Sequence, residues 1–217
     1  MFTKYGYTTI GVVAIITLLL ISLSFFVQNN PVKVTVLLVA VVILFLTLNF
    51  FRDPERKTPA QKRIIVSPAD GKVIVVRENI SNSYVGENCK QISIFMSPLN
   101  VHVNRIPISG EVDHLKYYEG RFIAAFEDKA SENNERMETG IVSNEGKVLF
   151  TQIAGFLARR IVNELKIGDS VNIGDRFGMI KFGSRVDIFV SGNWVPTVKL
   201  NDNVHAGETI LFELKVK

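Results

Sequence analysis

The sequence predicts a mainly β domain, a compact barrel-like sandwich with glycine-rich turns and little helix, preceded by an N-terminal helical membrane hairpin. Three observations predict it. Much of the apolar excess lies before Phe51. Short β-rich runs fill the rest of the chain, and glycine turns punctuate them.

The 217 residues are 47% hydrophobic and 21% charged, with a mean hydropathy of +0.22. That balance excludes a disordered chain, and the concentration of apolar residues excludes a simple soluble enzyme. Residues 10–27 and 34–50 carry no charge, and a polar turn containing Pro31 and Lys33 separates them. Each segment has the length of a short bilayer-spanning helix. A signal peptide fits the first segment poorly, because only Lys4 precedes it and a second apolar segment follows at once. Lys4 lies before the pair, and Arg52, Arg56, Lys57, Lys62 and Arg63 lie after it. This distribution puts both ends, and the rest of the chain, on the cytoplasmic side of the cell (inner) membrane. The expected division is an anchoring hairpin over 1–50 and a second domain over 51–217.

Residues 51–63 form a charged linker that Pro54 and Pro59 keep from being a continuous helix. Strands are expected at 64–66, 72–77, 91–96, 110–118, 147–153, 185–190 and 209–217. Asp70-Gly71, Ser109-Gly110, Glu119-Gly120, Glu145-Gly146, Gly168-Asp169 and Gly174-Asp175 mark turns between them. One short helix is expected within 126–136. A weak echo links 167–171, 173–177 and 204–210, too loose for a solenoid repeat.

The net charge of +4 suits an anionic lipid surface. No basic cluster with interleaved aromatics points to nucleic acid, and no nucleic-acid partner is expected. The lone Cys89 excludes an internal disulfide and a multi-cysteine zinc site. His102, His114 and His205 are too dispersed for a metal centre, and no metal is expected; His114 and His205 read as structural.

Ser184 follows Gly183 between two apolar runs. A nucleophile elbow needs glycines where Phe182 and Val186 stand. A serine hydroxyl is also able to attack the carbonyl of the residue before it, and glycine there permits the unusual backbone angles this requires. Such self-cleavage needs a base and an oriented partner. His102, between two valines, and Asp70, at a glycine turn, are the candidates. These residues leave two other readings open: a non-enzymatic membrane-anchored lipoyl-like β-sandwich module, and a serine hydrolase using Asp70, His102 and Ser184.

Read together, the motifs favour a third. FFRDPER at 50–56, SPADG at 67–71, SPLNVHVNR at 97–105, KASENNER at 129–136, QIAG at 152–155 with ARR at 158–160, and FGSR at 182–185 follow one another along the chain. In these stretches the sequence resembles the short bacterial and archaeal form of the phosphatidylserine decarboxylase proenzymes. The resemblance implies autocatalytic cleavage at Gly183–Ser184, giving a β chain of 1–183 and an α chain of 184–217 that stay associated. It implies that Ser184 becomes a covalent pyruvoyl group, the cofactor, and that catalysis falls to Ser184, His102 and Asp70. The implied activity is decarboxylation of phosphatidylserine in the bilayer to phosphatidylethanolamine through a Schiff base, a step of phospholipid biosynthesis. Arg105, Lys129, Arg136 and Arg159 are the candidate substrate contacts, with Arg160 beside them. Long-form members carry two histidines three residues apart in the second motif. Arg105 stands at the second position here, so their division of roles does not carry over.

Overall fold

In a computed structural model, residues 1–120, 133–155, 160–181 and 183–215 are described. They form two compact units, Met1–Glu55 and Arg56–Lys217.

The first unit is a helical pair. A 3-10 turn at Lys4–Gly6 leads into helix α1, Tyr7–Ser24, and helix α2 covers Asn30–Phe50. The Asn29 side chain accepts from the Val32 amide at 3.3 Å and caps α2, with Pro31 in its first turn. Most Leu, Val and Ile side chains of both helices are exposed, so neither is the core helix of a soluble domain. Three hydroxyls bond back onto helix carbonyls: Ser24 to Ile21 at 2.6 Å, Thr35 to Pro31 at 3.0 Å and Thr47 to Ile43 at 2.8 Å. Such bonds remove the polar groups that hydrocarbon does not tolerate. Both helices are long and apolar enough to cross a membrane. The Thr3 amide donates to the Phe51 carbonyl and the Asp53 amide to the Met1 carbonyl, at 3.0 and 2.8 Å, so the two ends of the pair meet.

The second unit is built from strands. Its main sheet has eight, in the order β13-β2-β3-β11-β7-β6-β5-β9. These are β2 (Gly71–Asn82), β3 (Gly86–Met96), β5 (Gly110–Tyr118), β6 (Arg136–Ser143), β7 (Gly146–Ala154), β9 (Ser170–Val171), β11 (Ser184–Val190) and β13 (Asn203–Val204). Their pairings are all antiparallel. Two three-stranded sheets complete the fold. One orders β1 (Ile64–Val66), β14 (Ile210–Leu214) and β12 (Trp194–Pro196); the other orders β4 (Val103–Arg105), β10 (Arg176–Lys181) and β8 (Arg160–Asn163). The apolar core includes Ile92, Ile94, Phe150, Phe177, Val186, Ile188, Trp194 and Phe212.

The mainly β class with a preceding helical pair is therefore found, and the runs at 64–66 and 110–118 are strands with those bounds. β2 and β3 extend well beyond 72–77 and 91–96. Of the residues added to β2, Ile80 and Asn82 pair with Cys89 and Gly86, while Glu78 and Asn79, of low strand propensity, fall in a bulge with Asn79 at φ +57°. The helix expected within 126–136 falls largely outside the described residues, and its last residue, Arg136, begins β6.

Gly178 tests the packing of the small sheet. A Cβ there would sit 2.1 Å from the Val162 carbonyl oxygen across the β10–β8 pair. Gly178→Ala is expected to destabilise the domain by about 1–3 kcal/mol. Chemical denaturation of the full chain in detergent, followed by Trp194 fluorescence, measures the loss.

Candidate active site

Antiparallel pairing gathers the motifs at one rim of the main sheet. Tyr118, Arg136, Ile153, Arg185, Phe95, Lys72 and Asn203 pair in sequence across seven strands, as a single rung. Just beyond that rung lie the Asp70 turn before β2, the Ser97 loop after β3, Gly183–Ser184 before and at the start of β11, and Ala154-Gly155 at the end of β7. Ser184 itself pairs with Met96 on one side and Ala154 on the other. Asp70 precedes a strand two places from β11, which puts the two backbones roughly 10 Å apart.

Ser184 is fully buried, and its hydroxyl contacts Met96 Sδ at 3.3 Å. It shares a face with Val186 and Ile188, toward the core. Gly183 has φ +49°, with open space where a Cβ would point. Glycine is thus favoured by the backbone turn and not by crowding.

His102 is also fully buried. Its Nδ1 lies 2.9 Å from the Asn100 carbonyl oxygen. A carbonyl only accepts, so this bond assigns the proton to Nδ1 and leaves Nε2 as the basic nitrogen. Asp70 is engaged elsewhere. One carboxylate oxygen accepts from Arg56 at 2.7 Å and lies 3.4 Å from His205 Nδ1. The other accepts from the Ala206 amide at 2.8 Å. The Asp70 carboxylate and His102 Nδ1 therefore have different partners. This is not the aspartate–histidine pair of a serine-protease triad.

Behind Ser184 runs a chain of amides, buried at Asn104 and Gln152 and half-buried at Asn163, that sequence reasoning missed. Asn104 donates to the Pro68 carbonyl at 3.3 Å and reaches Met96 Sδ at 3.9 Å. Gln152 donates to Asn104 at 2.9 Å, and Asn163 donates to Gln152 at 3.2 Å and to Thr139 at 3.0 Å. Asn134 donates to the Ala154 carbonyl at 2.7 Å, fixing the residue beside Ser184. The only signal in the sequence is an amide side chain inside an apolar strand, as at Gln152.

The other candidates disperse. Arg105 is 6% exposed, donates to the Gly174 carbonyl at 3.0 Å and lies against Gly207. Arg136 stacks 3.9 Å over the Tyr118 ring, 3.9 Å from Glu138. Lys129 and Arg159 lie outside the described residues. Arg160 pairs with Lys181 in the strand leading to Gly183. Burial first, and then Arg160, hold the Lys181 ammonium below the usual lysine range. Arg56 is not a free lipid contact, since it bonds both Asp70 and Glu208. No cluster able to hold a metal ion occurs among the described residues.

A buried serine follows a left-handed glycine, and a buried histidine lies on the adjoining loop. Comparison with known proteins gives the family. The family profile described as phosphatidylserine decarboxylase matches residues 43–212. A phosphatidylserine decarboxylase proenzyme of Chlorobium limicola is 47% identical over 211 residues, 97% of this chain and 99% of its own. That of Chlorobium chlorochromatii is 49% identical over 212 residues, again 97% and 99%. That of Prosthecochloris aestuarii is 43% identical over 217 residues, 99% and 98%. The chain belongs to the phosphatidylserine decarboxylase family.

Gln152→Leu removes the middle of the amide chain and leaves Asn104 Oδ1 and the Asn163 amide short of partners. The expected cost is about 1–3 kcal/mol. Urea denaturation against wild type checks it, with Thr139→Val as a milder control.

Proposed function

We propose that the chain is the proenzyme of a membrane-anchored phosphatidylserine decarboxylase whose pyruvoyl group arises from Ser184. The observation that carries this is Ser184 itself, buried at the head of a doubly paired strand, directly after a glycine in the left-handed region.

Self-processing starts when Ser184 Oγ attacks the Gly183 carbonyl carbon. The peptide C–N bond breaks, an ester forms, and the released nitrogen takes a proton. Removal of the Ser184 α-proton then expels the Gly183 carboxylate and leaves dehydroalanine. Tautomerisation and addition of water release ammonia and leave a ketone at the head of the α chain. His102, its Nδ1 proton directed to Asn100, takes up protons at Nε2. Asp70 supplies a fixed negative charge at the same rim.

The residues present fit a pyruvoyl group. Its parent serine is fully buried, and the amides of Asn104 and Gln152 close the space behind it with satisfied polar groups. The group supplies a ketone that condenses with the lipid's amine and accepts the electrons left when carbon dioxide departs. His102 returns a proton to the α-carbon. Arg160 and Lys181 offer positive charge toward an anionic headgroup, with Arg105, Lys129, Arg136 and Arg159 the remaining candidate contacts. The helical pair keeps the site at headgroup level, on the cytoplasmic side, and linker cations add about 1 kcal/mol each near an anionic surface.

The fragments stay together for a physical reason. After cleavage β11 still pairs on both edges, β13 with β2 and β14 with β1, all α-chain strands on β-chain partners. Separation would expose the core residues Val186, Ile188, Trp194 and Phe212.

Intact-mass spectrometry of the purified protein tests the proposal. Wild type is expected as two chains, 1–183 and 184–217, the second beginning with pyruvoyl. Ser184→Ala is expected as one inactive chain. A single active wild-type chain, labelled at Ser184 by a fluorophosphonate, would instead establish the hydrolase.

A further inference from the structure

The Asp70 carboxylate sits at a junction of three chain segments. Arg56, from the linker that follows the helical pair, reaches it with one guanidinium nitrogen at 2.7 Å and reaches Glu208 with the other at 2.8 Å. Glu208 also accepts from the Lys57 amide at 3.1 Å. The turn after β13 adds the Ala206 amide and the His205 ring. The Asp70 and Arg56 side chains are 6% and 13% exposed, whereas His205 is 59% exposed. Charge-assisted bonds in so buried a pair are stronger than at the surface, and the two nitrogens of a planar guanidinium fix direction as well as charge.

We propose that Arg56 is a positioning residue for self-processing: it aligns the Asp70 carboxylate at the rim that carries Ser184, with Glu208 clamping Arg56 in turn. The inference rests on the self-processing reading above. It gives the linker a task besides connecting two units. It also makes the turn at 205–208, which cleavage assigns to the α chain, part of the device that directs cleavage. Glu208 responds as a clamped group should. Its carboxyl is held below the usual range, first by the Lys57 amide, with Arg56 and His205 adding to it against the opposing effect of burial. A depressed carboxylate stabilises the fold above its unfolded value and loses that contribution as pH falls through the folded value. Wild type and Glu208→Gln should therefore differ in stability at neutral pH and converge in acid.

The test follows conversion of newly made full-length chain into its two fragments, by cell-free synthesis with phosphatidylglycerol–phosphatidylcholine vesicles and gel analysis. Arg56→Gln should slow conversion by roughly tenfold or more, as loss of a buried charge-assisted bond requires. Arg56→Lys should recover part of the rate, and millimolar guanidinium should speed conversion of Arg56→Ala. Those rescues separate positioning from mere support of the fold. Conversion of Arg56→Gln at the wild-type rate overturns the role of Arg56 and leaves self-processing standing. So does slowing that neither lysine nor guanidinium relieves, with thermal stability falling in step. A wild-type chain that never cleaves overturns the self-processing reading itself.

Discussion

The pairing of β11 on both edges is the constraint on which the rest depends. A strand hydrogen-bonded to β3 and to β7 has no freedom to slide, because a one-residue slip would turn Val186, Ile188 and Val190 away from the core. Ser184 is its first residue, so its position is as fixed as the core. Gly183, directly in front of it, takes the left-handed backbone region at φ +49°.

The opposite face of β11 is closed as well. Arg185 and Asp187 are each 1% exposed and pair at 2.6 Å. Ser93 accepts from Arg185 at 2.9 Å, and Gln91 reaches Ser93 and Asp187. A buried ion pair contributes little net stability, because desolvation offsets the attraction. Both residues belong to β11 and move together, so a slipped register would cost them their cross-strand partners, Ser93 for Arg185 and Gln91 for Asp187. The amide chain from Asn104 to Asn163 works in the same way on the serine side. The site is therefore framed by polar groups that tolerate one arrangement.

Much of this was legible in the sequence. Two uncharged apolar segments and the glycine turns name the architecture, and the Gly183-Ser184 step stands out as the candidate for self-cleavage. His102 is legible as a candidate base only beside Ser184 and Asp70, since a lone histidine in an apolar strand-like run reads first as structural. Its orienting partner is not. The Asn100 carbonyl is a backbone atom and leaves no letter to read. Asp70 is legible as a turn residue, but its engagement by Arg56 and His205 joins positions 14 and 135 residues away.

Periodicity and turn chemistry act within a few residues, so the sequence by itself determined the helical pair, the β class and the order of the motifs. The tertiary structure alone decided which motifs meet. Antiparallel pairing carries the starts of β2, β6 and β11 to the ends of β3, β5 and β7, and that rim exists only once the sheet has formed. It also decided that Arg105 and Arg56 are internal ties rather than open cations. Whether a charge is buried depends on what the rest of the chain folds over it, and no local pattern encodes that.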